Sequence, residues 1–166
     1  MSSIFFSSFE SFYHRSKFVK CHDSALYCCA SLDPHISVTG DEDGFVKMWD
    51  SRTADTSVMT YKRFDEFVSS FFKMDDSHLI ASSGEGTIQS FDLRTRRPDL
   101  QSEVYDSELN CLAAVRSGSK LVVGSGAGQL YMFNKDQYGL HSDQFPGHPD
   151  GVNAMVAITD NVLITG

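Results

Sequence analysis

Short apolar runs recur along the chain, separated by Asp, Ser, Pro and Gly. A first kind of run holds Ala25 to Ala30, then Phe67, Val68, Phe71 and Phe72, then Leu109, Leu112, Ala113 and Val115, then Val152, Met155, Val156 and Ile158. A second kind follows each: Ile36 to Gly40, Leu79 to Ser82, Leu121 to Gly124 and Val162 to Gly166. A third kind ends in an aromatic and a polar residue: Val46 to Asp50, Ile88 to Asp92 and Leu130 to Asn134. Runs this short, bounded in this way, predict strands. Weaker stretches at Val58 to Tyr61, Leu100 to Tyr105 and about Leu140 to Phe145 predict an outer strand for each set. No helical period is sustained, so the prediction is an all-β chain with little helix.

The runs keep register with one another. Gly44, Gly86 and Gly128 are each 42 residues apart. Behind them stand Gly44-x-Val46-x-x-Trp49-Asp50, Gly86-x-Ile88-x-x-Phe91-Asp92 and Gly128-x-Leu130-x-x-Phe133-Asn134. A small residue precedes each turn by four positions (Gly40, Ser82, Gly124), and Gly166 falls 42 beyond the last. A period near 40–45 with a terminal Trp-Asp marks one four-stranded blade of a β-propeller. The 166 residues hold three such units and the start of a fourth, at about 22–63, 64–105, 106–147 and 148–166. Propellers close with 4–8 blades. The expectation is therefore a partial propeller, either a fragment or a short product. Open sheet edges and uncapped repeats predict self-association or aggregation.

These offsets resemble the WD40 repeat family, over about residues 21–166. The resemblance implies a hydrogen-bonded chain of histidine, Ser/Thr, turn aspartate and tryptophan across each blade. The first unit can supply His22, Thr39, Asp43 and Trp49, and the fourth supplies His148 and Thr165. A buried indole N–H, imidazole and carboxylate all need partners, which gives the network its physical sense. The second unit departs from it with Ala81, Glu85 and Phe91, and the third with Val123, Ala127 and Phe133.

Trp49-Asp50-Ser51-Arg52 and Phe91-Asp92-Leu93-Arg94 resemble the box by which some WD40 proteins dock on the adaptor of cullin-4 ubiquitin ligases. That makes Asp50, Arg52, Asp92 and Arg94 candidate docking residues, because an arginine beyond a strand can offer a bidentate fork. The competing reading is a salt link from each arginine to its neighbouring aspartate. Ser83 to Arg97, Gly124 to Asn134, and Ser142 to Phe145 ahead of Val152 to Val156 and Thr159 to Gly166 resemble a nucleolar branch of the family. That resemblance implies a seven-bladed parent and a non-catalytic scaffold in ribosomal RNA processing and ribosome biogenesis, in the nucleus or nucleolus. The alternatives are a substrate receptor for the ligase, or a truncated product without independent function. For a scaffold, the loop residues Asp43, Glu85, Asp65 and Asp106 are candidate contacts.

Composition narrows the partners to other proteins. Net charge is −8 and the pI near 5.1, which argues against a nucleic-acid footprint. Arg94, Arg96 and Arg97 form the only basic cluster and read as a solvated turn. Cysteines 21, 28, 29 and 111 form no Cys-x-x-Cys pair and are expected to be core thiols in a reducing compartment. The six histidines have no metal-ligand spacing. Gly124-Ser-Gly-Ala-Gly128 falls at a hairpin turn and lacks the Lys-Ser/Thr of a phosphate loop. No constellation for catalysis and no cofactor motif is found. Residues 1–20 are too interrupted to span a membrane. Within them, Ser16 to Lys20 is expected to be the outer strand of a preceding blade.

Overall fold

Each turn glycine is set by its surroundings. The computed structural model of the chain describes residues 3–7, 15–19, 21–53 and 56–166. Gly44, Gly86 and Gly128 adopt φ of +80°, +83° and +80°, a region that side-chain-bearing residues avoid. A Cβ there would also run into the backbone carbonyl of Phe64, Tyr105 or His148, respectively. The glycine carbonyls accept the N–H of those same residues, at 3.4, 2.8 and 2.9 Å. The tight turn inside one sheet is thus bolted to the connector that leads to the next.

Every regular element among the described residues is a strand. β1 (Ser3–Ser7) and β2 (Arg15–Val19) pair into a two-stranded sheet. β3 (Leu26–Ser31), β4 (Ile36–Asp41), β5 (Phe45–Asp50) and β6 (Met59–Lys62) form the first complete sheet. β7 (Val68–Lys73), β8 (His78–Ser83), β9 (Ile88–Asp92) and β10 (Arg97–Gln101) form the second. β11 (Leu109–Val115), β12 (Lys120–Ser125), β13 (Gln129–Asn134) and β14 (Asp143–Pro146) form the third. β15 (Met155–Thr159) and β16 (Val162–Thr165) form a final two-stranded sheet. All are antiparallel meanders.

The complete sheets are joined by apolar cores. One holds Val38, Val46, Met48, Val68, Leu79 and Phe91. The other holds Ile80, Ile88, Leu109, Leu121, Val123 and Phe133. At the inner strands the spacing is closer. A Cβ added to Gly40 would fall 2.5 Å from Val68 Cβ, and one added to Gly124 would fall 2.8 Å from Val152 Cγ1. Beside those contacts the Cys28 thiol donates to Val68 O at 3.1 Å and the Cys111 thiol to Val152 O at 3.6 Å. In the second sheet the Ser69 hydroxyl makes the same kind of bond to Leu109 O. Each sheet hands a donor to the inner backbone of its successor.

Several boundaries differ from the sequence expectation. The outer strand of the second sheet is Arg97–Gln101 and stops short of Tyr105, whose ring is buried against Tyr131 at 4.2 Å. Val152 precedes its strand. It is fully buried as the wedge against Gly124, with its N–H on Ser125 O at 2.9 Å. β2 covers Arg15–Val19, and Lys20 lies outside the described residues. Cys21 and Cys111 are buried, whereas Cys29 is exposed because adjacent strand residues point to opposite faces and Cys28 takes the inner one.

Candidate interaction surface

Strand alternation brings the polar residues of the first blade together. Thr39 and Asp41 share one face of β4, and Lys47 and Trp49 lie beside them on β5, with Thr39 paired to Lys47. The Trp49 indole N–H donates to Thr39 Oγ1 at 2.8 Å. His22 Nε2 lies 2.8 Å from the same hydroxyl, and its Nδ1 is 2.6 Å from Asp41 Oδ2. All four side chains are buried. Burial lowers the His22 pKa below its ordinary value, against the opposing pull of Asp41. The neutral ring then donates from Nδ1 to Asp41 and accepts the Thr39 hydroxyl at Nε2, while Thr39 Oγ1 itself accepts from Trp49.

The carboxylate in this network is Asp41, where the sequence reading had placed Asp43. Asp43 sits exposed in the turn. Asp41 reaches inward, and its second oxygen accepts the Phe45 N–H at 2.8 Å. The signal that could have found it is the i, i+2 spacing from Thr39. In the final sheet His148 Nε2 lies 2.6 Å from Thr165 Oγ1.

The middle blades fill the same space differently. Phe64 stands where His22 does, and it is buried in one cluster with Ala81 and Phe91. Glu85 stays in its turn, accepting the Asp65 N–H at 2.6 Å and the Thr87 hydroxyl at 2.7 Å. In the third blade Val123 and Phe133 are fully buried, and Ala127 stands exposed in the turn. Tyr105 closes over that core, its hydroxyl 2.9 Å from His141 Nδ1. Burial raises the Tyr105 pKa to about 12.

The two ends of the sheets differ in charge. Turns 41–44, 84–86 and 126–128, with connectors 63–67, 102–108 and 147–154, contain a single cation, Arg63, whose guanidinium donates to Gln89 Oε1. They carry the exposed acids Glu42, Asp43, Asp65, Glu66, Asp106, Glu108 and Asp150. At the same end Tyr27, 57% exposed, stacks on Phe67 at 4.4 Å. The opposite end holds the candidate docking residues. Arg52 forks onto its own Asp50 at 2.9 and 2.8 Å, which holds that carboxyl well below the usual carboxylate range. Arg94 is freer, with its guanidinium 4.0 Å from Asp92 and 84% exposed. The Asp92 pKa is lowered mainly by the backbone N–H of Thr95. Beside Arg52 lies a cleft of about 280 Å³, lined also by Leu32, Met48, Leu93 and Arg96, among others, with Arg94 outside its lining. Among the described residues no group of three His, Cys, Asp or Glu side chains could hold a metal ion. No helix there is long and apolar enough to cross a membrane.

Comparison with known proteins bears on this arrangement. Residues 14–50 match the model of the WD domain, G-beta repeat. A WD repeat-containing protein 55 homolog of Aedes aegypti is 38% identical over 146 residues, which is 87% of this chain and 31% of the relative. The homolog of Drosophila willistoni is 37% identical over 142 residues, 85% of this chain and 28% of the relative. The chain thus spans less than a third of the length of these curated relatives. Among solved structures, the WD40 beta propeller domain of Doa1 superposes with a TM-score of 0.76 at 18% identity, covering 90% of this chain and 50% of that one. A chain of the Mitotic Checkpoint Complex gives 0.79 at 19% identity, covering 92% and 49%. With its repeat spacing, its bolted turn glycines and these similarities, the chain belongs to the WD40-repeat family and folds as a partial β-propeller.

Proposed function

We propose that this chain is a non-catalytic scaffold that holds protein partners during ribosomal RNA processing and ribosome assembly, in the nucleus or nucleolus. The similarity to WD repeat-containing protein 55 homologs supports the process, as does the likeness to nucleolar members already noted. The observation that carries the scaffold reading is the acidic loop end, whose turns and connectors hold many exposed acids against the single cation Arg63, with the Tyr27–Phe67 stack beside it. Such a face repels phosphate backbones and complements positively charged protein segments, while a stacked aromatic pair supplies an anchor. The mechanism is rigid presentation of several loops at once. Charge reversal at Asp43, Asp65, Glu85 and Asp106 should abolish co-sedimentation with pre-ribosomal particles while leaving the melting transition in place. Retained co-sedimentation removes the loop face from the reading. Absence of the parent chain from those fractions removes the ribosomal role.

The cleft between Arg52 and Leu93 favours a second reading, a receptor docked on the cullin-4 adaptor through Asp50, Arg52, Asp92 and Arg94. Arg52→Ala with Arg94→Ala should then lose adaptor capture, and unchanged capture ends that idea.

A further inference from the structure

We propose that the cleft between the first and second complete sheets receives one aromatic side chain of a partner protein, with a carboxylate beside that ring held by Arg96. The cleft has an apolar floor of Leu32, Met48 and Leu93, and Arg52, Lys73 and Arg96 stand around it. Its lining comes from these two complete sheets and their turns. A volume of about 280 Å³ lies at the foot of the roughly 300–1,000 Å³ that drug-sized ligands fill, so the space suits a single ring.

The chain itself shows what such a place holds, because the second and third sheets meet in the same way one period on. Asp33 accepts the N–H groups of His35 and Ile36 at 2.7 and 2.8 Å. Asp75, 42 residues later, accepts those of Ser77 and His78, both at 2.8 Å. By the same step Leu32 is matched by Met74, Leu93 by Lys135 and Arg96 by Tyr138. Tyr138 is 2% exposed, in the core cluster against which Met74 packs. Burial raises its pKa, and the charges of Asp136, Lys135 and Asp75 act on it as well. Lys135 and Asp75 are themselves joined at 2.6 Å. The buried Tyr138 hydroxyl has no hydrogen-bond partner among the described residues, so the ring is what this place accommodates.

Turn length explains why the second unit leaves its own place open. The third unit pairs Asn134 with Gln137, three positions on, and Tyr138 follows directly into the core. The second pairs Asp92 with Arg97, five positions on, and Arg96 stays exposed at φ +56°. Arg52 is held by Asp50, and Lys73 by Asp76 at 2.9 Å and the Leu32 carbonyl at 3.2 Å. Among the described residues the Arg96 guanidinium has no ion-pair or hydrogen-bond partner. An apolar floor beside a free guanidinium matches an aromatic anchor with an adjoining carboxylate.

The test titrates the peptide Gly-Glu-Glu-Phe-Glu-Ser-Gly into the 166-residue chain with isotope-labelled methionine methyls, up to about 1 mM, the weak end of specific affinity. The Met48 methyl signal, assigned with Met48→Leu, should shift and saturate, while that of Met132 on the third sheet stays in place. Serine in place of the phenylalanine, or lysine in place of the glutamates, should remove the shift. Arg96 is exposed, so its replacement spares the core, and Arg96→Asp should weaken binding by about tenfold or more. Arg97→Ala removes a neighbouring charge outside the cleft lining and should stay within about twofold of the parent. The proposal is overturned by an absence of binding, by binding that leaves Met48 unmoved, by equal binding without the ring or the acids, or by unchanged affinity in Arg96→Asp. Its failure leaves the loop-face reading standing, because those acids lie at the other end of the sheets.

Discussion

Thr39→Val is the most informative single change in the first blade. Valine keeps the shape of threonine and removes the hydroxyl. That hydroxyl accepts from the Trp49 indole at 2.8 Å and meets His22 Nε2 at 2.8 Å, with Thr39 fully buried. Two buried polar groups lose their partner at once, and each orphan costs about 1–3 kcal/mol. The expected loss is about 2–6 kcal/mol, a large share of the roughly 5–15 kcal/mol that stabilises a typical domain. With a urea slope near 2 kcal/mol/M, a loss of about 3 kcal/mol moves the midpoint by about 1.5 M. Trp49 is the only tryptophan, so its emission reports this blade directly. Thr39→Ser is the control, because it keeps the hydroxyl and sheds one methyl, for about 1 kcal/mol. A valine variant within about 0.5 kcal/mol of the parent, or no more damaging than serine, would refute the network as a source of stability.

Acid should weaken the same blade. The folded-state pKa of His22 lies below its ordinary 6.5, so the unfolded chain binds the extra proton first. Its contribution is present above about pH 6.5 and is lost as pH falls toward the folded value; His22→Gln should flatten that part of the stability profile measured by urea titration. Gly86→Ala forces a side chain onto the Tyr105 carbonyl at φ +83° and should cost more than about 3 kcal/mol. Gly118→Ala, at φ +79° with open space around it, should cost only the 1–2 kcal/mol of the left-handed conformation; equal losses by denaturation would dismiss the carbonyl contact. Thiol labelling at pH 8 should strike Cys29 first. Burial raises Cys111 to about 11 and Cys28 to about 12, so prompt modification of either would contradict the sheet-to-sheet packing.

Much of the fold was legible because one period places three glycines where only glycine fits, and those turns fix the strands around them. The first-blade network was legible except for its carboxylate. Asp41, Glu42 and Asp43 offer three candidates in a row, and the face shared with Thr39 decides among them. Tyr105 was read as a strand residue, and its anchoring place was missed because the step from the turn glycine to its anchor is one residue shorter in the second unit. Gly86 meets Tyr105 after 19 residues, where Gly44 meets Phe64 after 20, so a strict step of 42 points to Asp106. Exposure of Cys29 was hidden for another reason. Which face of an inner strand is covered depends on the adjoining sheet, and no local pattern records that. The arginines of the docking box could be named from sequence, but their unequal engagement, Arg52 held by its own aspartate and Arg94 loose, needed coordinates.

The donor passed from Cys28, Ser69 and Cys111 to the following inner carbonyl has an evolutionary side. Any unit copied in tandem finds a ready acceptor ahead of it and a ready donor behind it. Gene duplication can therefore lengthen or shorten such an array by whole modules at little structural penalty. An insertion of a few residues inside a module shifts thiol and carbonyl out of reach, so growth by fractions is selected against.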